Sequence, residues 1–191
     1  MTRFKPNMLP TLIGSLPVLD HDQALRMILE ATPEIPLWAQ LPGHSEEGMM
    51  VQFLDGIPGV TKNKDRTFID SSQTDFDQEV LTFYEEYLMV SEGQKDLSQS
   101  RFALKSSSAP GFFQFVDTVK TLSPPPVALK GQISGPVTLA TGIKDQDGRA
   151  LFYDPKLRDL IVKTVAMKAR YQAETLATFN VPVMVFIDEP G

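Results

Sequence analysis

An apolar run of five residues, Val183 to Ile187, limits the fold more than any other stretch of this sequence. It lies between Pro182 and the acidic pair Asp188-Glu189. A strand that is apolar on both alternating faces is typical of parallel sheets in α/β proteins, where both faces are covered. Such proteins carry their chemistry at the carboxyl ends of these strands. The two carboxylates that follow the run therefore indicate a functional site.

Upstream of this run, predicted strands alternate with predicted helices. Turn residues, capping residues and apolar periodicity predict strands at 11–13, 35–41, 127–130 and 183–187, and helices at 23–31, 74–92, 112–122, from 136, and at 155–178. A polar hairpin is predicted between 60 and 72. The alternation predicts an α/β fold in which crossover helices connect parallel strands. We expect residues 1–191 to form a single domain.

Charge and cysteine content exclude several classes of function. The net charge is -6 and the basic residues form no stripe, so we expect no nucleic-acid partner. There are no cysteines, so disulfides and thiolate metal sites are excluded within this chain. No apolar run approaches the length of a membrane span, and no apolar signal core follows the first residues. These features predict a cytoplasmic protein without a membrane partner.

Polar or glycine residues stand at the end of each predicted strand. In a parallel array these ends lie on one face, so residues far apart in sequence converge there. The candidate binding residues are Gly14, Ser15, Gln40, Gln132, Ser134, Asp188 and Glu189. Each also has a structural interpretation, as a turn residue, a helix start or a solvated strand end. Free backbone N–H groups after Ser134 could bind an anionic group.

Neither histidine has an obvious partner in the sequence. His21 lies in a charged segment where a helix begins, and we expect it to be solvated. His44 follows Pro42-Gly43 and is either a surface residue or part of a site at the strand ends. We therefore predict no metal ligands within this chain and assign no catalytic residue.

Three motifs resemble the catalytic domain of cobalamin-independent methionine synthase and occur in the same order. They are Thr11-Leu-Ile-Gly-Ser-Leu-Pro17, Lys130-Gly-Gln-Ile-Ser-Gly-Pro-Val-Thr-Leu139 and Phe186-Ile-Asp-Glu-Pro190. The second motif is also similar to the uroporphyrinogen decarboxylases and the methylcobamide methyltransferases of the same superfamily. The resemblance covers essentially the whole chain. It implies the N-terminal half of a (β/α)8 TIM barrel, with the first four or so βα units.

The resemblance also implies roles for individual residues. Ser15 would bind the carboxylate of a small thiol or amino-acid-like substrate, and Asp188 would pair with its ammonium group. The sequence has Gln40 where the family uses a glutamate, which puts homocysteine itself in doubt. Zinc in the family activates the substrate thiol, and its His and Cys ligands follow the fourth strand, so zinc is expected only in a full-length form.

Three functions fit these observations. The first is a zinc-dependent methyltransferase acting on a thiol, and the second is a metal-free, uroporphyrinogen decarboxylase-like enzyme. The third is a non-catalytic half-barrel that binds a small molecule or pairs with a complementary chain. Open strand edges with apolar faces lead us to expect that the isolated chain forms a homodimer or aggregates.

Overall fold

The computed structural model describes residues 5–63 and 66–190. In this part of the chain there are five α-helices and two sheets of two strands each, so the fold is mixed α/β and contains no closed barrel. The helices are α1 (His21–Ala31), α2 (Phe76–Ser91), α3 (Pro110–Val119), α4 (Pro136–Gly142) and α5 (Pro155–Ala177). The strands are β1 (Val60–Asn63), β2 (Arg66–Ile69), β3 (Leu129–Ser134) and β4 (Val183–Asp188).

The chain divides into two compact units. Unit 1 consists of the described residues up to Gly48, together with Lys105–Gln132 and Gln172–Phe186. Unit 2 consists of the described residues of Met49–Leu104, Ile133–Tyr171 and those from Ile187 onward. None of the described helices combines the length and the apolarity that crossing a membrane requires.

Unit 1 contains parallel backbone pairings that follow the order of the chain. Ser15 pairs with Gln40, and Leu37 pairs with Lys130 of β3, both in parallel. The Leu129 N–H of β3 in turn donates to Pro182, directly before β4, at 2.9 Å. The strands predicted at 11–13 and 35–41 are thus isolated parallel bridges rather than continuous ladders, and the first bridge lies two residues after its predicted strand.

The sheet formed by β3 and β4 is parallel. Its two ends are marked by the bond from Leu129 to Pro182 and by the bond from Gly135 N–H to Asp188, at 2.7 Å. From the first bond to the second, the residue number rises by six on both strands, from 129 to 135 and from 182 to 188. The strands therefore run in the same direction. The hairpin predicted between 60 and 72 is confirmed, because β1 and β2 pair antiparallel with Val60 opposite Ile69.

Helix α1 covers the apolar middle of unit 1. The sequence offers Asp20 or Asp22 as its cap, and in the structure Asp20 fills this role, accepting a hydrogen bond from the Gln23 N–H at 2.7 Å. Its Ala24 and Ile28 pack against the 35–41 segment through Leu37, Ala39 and Leu41. This contact anchors the segment whose end carries Gln40.

Helix α2 of unit 2 buries only part of the apolar stripe that its sequence predicts, which consists of Phe76, Val80, Leu81, Tyr84 and Leu88. The buried residues are Phe76, Val80, Phe83 and Val90, whereas the predicted Leu81 and Leu88 are exposed. The sequence Thr74-Asp75-Phe76-Asp77 predicts a capped helix start here. Helix α2 does begin at Phe76, but Asp75 at the N-cap position makes no capping hydrogen bond with its side chain. Apolar residues cover two adjacent faces of this helix, and the face that packs is decided by aromatic contacts such as that between Phe83 and Phe102.

Strand β4 is not covered on both faces, contrary to prediction. Its first three residues are half-buried, and Phe186 and Ile187 are 47% and 58% exposed. In the described part of the chain β4 pairs with β3 alone. The described residues thus cover only part of the apolar surface of β4. Self-association of the chain remains a prediction.

Candidate functional site

Strand β3 presents a polar face made of alternating residues. Lys130, Gln132 and Ser134 share this face, because side chains alternate along a strand. The opposite face, at Gly131, packs directly against the Gln172 side chain of α5 in unit 1. The polar face therefore points away from α5, although every residue of β3 is buried. Buried polar side chains on a strand need partners, and these partners define the site.

Lys130 is fully buried, and sequence reasoning did not select it as a site residue. Its Nζ donates a hydrogen bond to the Ile13 carbonyl at 2.6 Å and lies 4.5 Å from the centre of the Phe186 ring. The available signal was a lysine that directly follows the apolar residues Val127 to Leu129. Lysines are almost never fully buried unless they are paired. The ammonium group places a positive charge beside the strand end that carries Gly14 and Ser15.

Gln132 connects β3 to the preceding strand segment. Its Nε2 donates to the Trp38 carbonyl at 2.7 Å. Its Oε1 is buried and has no hydrogen-bond partner in the described part of the chain. Gly14 packs against this amide, and a Cβ there would lie only 2.7 Å from Nε2. With φ at 142°, Gly14 also adopts a conformation that suits glycine, so both backbone and space require it.

Ser15 and Gln40 are held side by side by their backbones. The Gln40 N–H donates to the Gly14 carbonyl, and the Leu16 N–H donates to the Gln40 carbonyl, each at 3.0 Å. Ser15 is exposed and its hydroxyl has no hydrogen bond to the described residues, whereas Gln40 is almost buried. Unit 1 thus brings together four predicted residues and one unpredicted residue, which we call the unit 1 cluster: Gly14, Ser15, Gln40, Lys130 and Gln132.

Ser134 and Asp188 belong to unit 2. The Ser134 hydroxyl donates to the Met49 carbonyl at 2.8 Å, so it already has a structural partner. Asp188 is the last residue of β4 and is exposed. Its side chain makes no hydrogen bond or ion pair with other described residues, while its carbonyl accepts from Gly135. Of these two residues, Asp188 retains the full hydrogen-bonding capacity of its side chain for a ligand.

Glu189 binds the start of α4. Its Oε1 accepts from the Val137 N–H at 3.0 Å, and its Oε2 accepts from the N–H and hydroxyl of Thr138 at 2.7 and 2.6 Å. The backbone groups predicted to bind an anionic ligand are thus occupied by the chain's own carboxylate. Partial burial acts to raise the pKa of Glu189, but the hydrogen bonds from Thr138 and Val137 outweigh it and hold that pKa below its ordinary value.

We expect the substitution Glu189→Gln to lower the free energy of unfolding by about 0.5–1 kcal/mol at pH 7, as for loss of an exposed helix cap. The folded-state pKa is lowered, so the carboxylate stabilises the protein above the ordinary pKa of glutamate. This contribution is lost as pH falls through the folded-state pKa of Glu189. Urea unfolding of both proteins from pH 7 to pH 3 measures it.

Glu30→Gln is the matched control for this experiment. Glu30 is exposed on α1 and forms no hydrogen bond with the described residues, so its substitution should change stability by less than about 0.5 kcal/mol. A Glu189→Gln protein as stable as the wild type at pH 7, or a difference that persists unchanged at pH 3, would contradict the capping role.

His21 is not solvated, contrary to prediction, and His44 lies beside it. His21 Nε2 lies 2.9 and 3.1 Å from the two carboxylate oxygens of the buried Glu47, and the His21 and His44 rings stack at 5.6 Å. We call these three residues of unit 1 the histidine cluster. The His44-x-x-Glu47 spacing was the one available sequence signal, since a single turn brings two such residues together.

No protein-family model matches this chain, and no match was found among curated proteins or among solved structures. The assignment of function therefore depends on the geometry described above and on the resemblance of the three sequence motifs.

Proposed function

We propose that this chain carries part of the substrate site of a methyltransferase of the cobalamin-independent methionine synthase type, built on part of a βα barrel. The observation that carries the proposal is the order of the parallel pairings in unit 1. Consecutive segments, near Ser15, Gln40, β3 and the start of β4, neighbour each other in chain order. Barrel strands follow this order, whereas doubly wound sheets reverse direction at a switch point.

The polar face of β3 further supports a ligand site. The interior of a βα barrel is usually filled by branched apolar side chains, so Lys130 and Gln132 are unusual occupants of such a face. The buried Gln132 Oε1 lacks a partner among the described residues, and an unsatisfied acceptor of this kind costs about 1–3 kcal/mol. A ligand that donates a hydrogen bond to Oε1 would recover this cost.

The resemblance gives the recognition roles. Ser15 would donate its hydroxyl hydrogen to the substrate carboxylate, and Asp188 would accept from the substrate ammonium group. Both side chains are exposed and neither is engaged by the described residues. Gln40 in place of the family glutamate removes one of the family's contacts, whereas the amino-acid end that Ser15 and Asp188 would bind is common to homocysteine and other thiol amino acids. The cytoplasmic location predicted from the cysteine-free sequence is part of this proposal.

The family's zinc ligands, a His-x-Cys pair and a further cysteine, have no counterpart in this sequence, which contains no cysteine. When bound, the zinc of the family converts the substrate thiol into a thiolate nucleophile. The proposed residues of this chain would bind and orient only the amino-acid end of the substrate.

Binding of thiol amino acids to the purified chain tests the proposal. By isothermal titration calorimetry or NMR, L-homocysteine or L-cysteine should bind more tightly than 4-sulfanylbutanoate, which lacks the ammonium group, or 3-sulfanylpropylamine, which lacks the carboxylate. Ser15→Ala should weaken L-homocysteine about threefold to tenfold, the effect of one hydrogen bond to a charged group, and leave 3-sulfanylpropylamine unchanged.

Ser72→Ala is the control for the serine substitution, because Ser72 is an exposed residue whose hydrogen bonds to the described residues all go to Asp70. Equal binding of all four compounds would contradict recognition of an amino-acid end. No binding at millimolar concentration, together with concentration-dependent association, would favour the non-catalytic half-barrel.

A further inference from the structure

The histidine cluster has the composition of a metal site. His21, His44 and Glu47 each offer one ligand atom, and these atoms all lie within 4.8 Å of one another. Two imidazoles and one carboxylate form a ligand set found for zinc in catalytic sites and for other first-row transition ions. We propose that His21, His44 and Glu47 bind a divalent transition-metal ion. This proposal does not depend on the methyltransferase assignment and departs from the sequence analysis, which predicted no metal ligands in this chain.

The backbone of unit 1 orients the ligands. His44 precedes the short 3-10 helix Ser45–Glu47, and the Glu47 N–H donates to the His44 carbonyl at 3.1 Å, so both residues project from one turn. His21 is the first residue of α1 and reaches the same place. A Cβ at Gly111 of α3 would lie 3.2 Å from Cδ2 of His21, so α3 passes close to this ring.

Hydrogen bonds between the backbone and the side chains of His44 and Glu47 determine which of their atoms can bind a metal. His44 Nε2 lies 2.9 Å from the Leu19 carbonyl, which can only accept, so this nitrogen carries the proton. His44 Nδ1 is therefore the atom with a lone pair. A metal-binding histidine typically donates its other N–H to a backbone carbonyl in this way. The Leu41 N–H likewise donates to Glu47 Oε2, at 3.2 Å, and fixes the carboxylate.

The burial of Glu47 favours a cation at this place. Glu47 is only 2% exposed, and a buried carboxylate needs a positive partner. His21 Nε2 now bonds to both of its oxygens, and a metal ion would take the place of the proton between them. Around a tetrahedral ion with bonds of about 2.1 Å, ligand atoms lie roughly 3.4 Å apart, so binding requires the half-buried histidine rings to close by about 1 Å.

The space beside the cluster is large enough for a metal ion, and the charges around it favour a cation. The cluster borders a cavity of about 560 Å³ that is also lined by Asp20, Asp22 and Glu46. Asp20 caps α1, and the Gln114 amide donates to Asp22. These carboxylates have structural partners but still make the local potential negative, which attracts cations. Three protein ligands leave an open coordination position toward the cavity for water or a small anion.

The test uses the purified chain and Zn²⁺ alone, followed by Co²⁺ for its absorption spectrum. The chain has two histidines, so their ring NMR signals belong to this cluster. We expect one equivalent of Zn²⁺ to shift both ring spectra, and calorimetry to give a 1:1 complex. His44→Ala and Glu47→Gln should each weaken binding by at least about tenfold. Glu30→Gln, a substitution at an exposed position of α1 that does not line the cavity, should bind as the wild type does.

Thermal melts followed by circular dichroism would show whether a variant fails to fold. In that case the ring spectra of the wild-type protein still decide the test. Unchanged ring signals at excess Zn²⁺ would overturn the proposal. Zinc binding that is unaffected in a folded His44→Ala protein would also overturn it, because the ion would then bind elsewhere.

Discussion

Replacing Gln172 by leucine should lower the free energy of unfolding by about 3–5 kcal/mol. In unit 1 the Gln172 Oε1 accepts from the Trp38 indole N–H at 2.9 Å and from the Gln132 N–H at 3.1 Å, and its Nε2 donates to the Gln132 carbonyl at 3.0 Å. Leucine keeps much of the volume but deprives three buried polar groups of this amide. Each such loss costs about 1–3 kcal/mol, and β3 is held to α5 through these bonds.

Chemical unfolding measures this change, and the melting temperature should fall by roughly 10 °C. The control is Gln78→Leu, the same exchange at an exposed position of α2, where we expect a change within about 0.5 kcal/mol. Trp38→Phe removes the indole N–H, so a double-mutant cycle should give a clear coupling energy between Trp38 and Gln172. Wild-type stability of Gln172→Leu would show that the network does not hold β3.

Replacing Gly111 by alanine should destabilise the protein by about 2–3 kcal/mol, although alanine is the better helix former. Helix propensity alone predicts a gain of up to about 1 kcal/mol. A Cβ at this buried position of α3 would lie far inside van der Waals contact of the Ala39 carbonyl oxygen. That oxygen belongs to the backbone and cannot rotate away, so α3 must move, which is the cost of overpacking.

Gly43→Ala is the matched control for Gly111→Ala. The Cβ at Gly43 would meet only the end of the Leu19 side chain, which is 67% exposed and can move. We expect its stability to stay within about 0.5 kcal/mol of the wild type. A stabilised Gly111→Ala protein would mean that α3 packs less closely on the 35–41 segment than the structure describes.

Local signals predicted several elements well. The Asp154-Pro155 pair correctly predicted the start of α5, where Asp154 Oδ1 accepts from Lys156 and Leu157 at 2.8 and 3.0 Å. The β1–β2 hairpin and the capping of α1 by an aspartate could likewise be predicted from the sequence. In each case the decisive interactions join residues close in sequence, so composition and spacing are sufficient to identify them.

The features that were missed depend on distant contacts. Glu189 binds α4 across 51 residues, and His21 reaches Glu47 across 26. No local pattern encodes either contact. The Asp188-Glu189 pair illustrates the limit. The resemblance gives a role to Asp188 alone, and only the structure shows that Glu189 caps α4.

The buried lysine of β3 was missed for a different reason. Lys130 stands within a motif that resembles the methionine synthase domain, but the predicted strand 127–130 ends at this residue, whereas the observed strand continues to Ser134. Its burial depends on the Ile13 carbonyl, 117 residues away, and on the Phe186 ring. Only the tertiary fold supplies these partners.

The most direct test of the proposed function is the affinity of the Asp188→Asn protein for L-homocysteine, measured by titration calorimetry beside the wild type and Asp147→Asn, a control at an exposed turn. We predict that Asp188→Asn weakens binding about tenfold or more, since an ion pair to the ammonium group is replaced by a neutral contact. The affinity for 4-sulfanylbutanoate, which has no ammonium group, should not change. Equal affinity of wild type and Asp188→Asn for L-homocysteine would contradict the proposal.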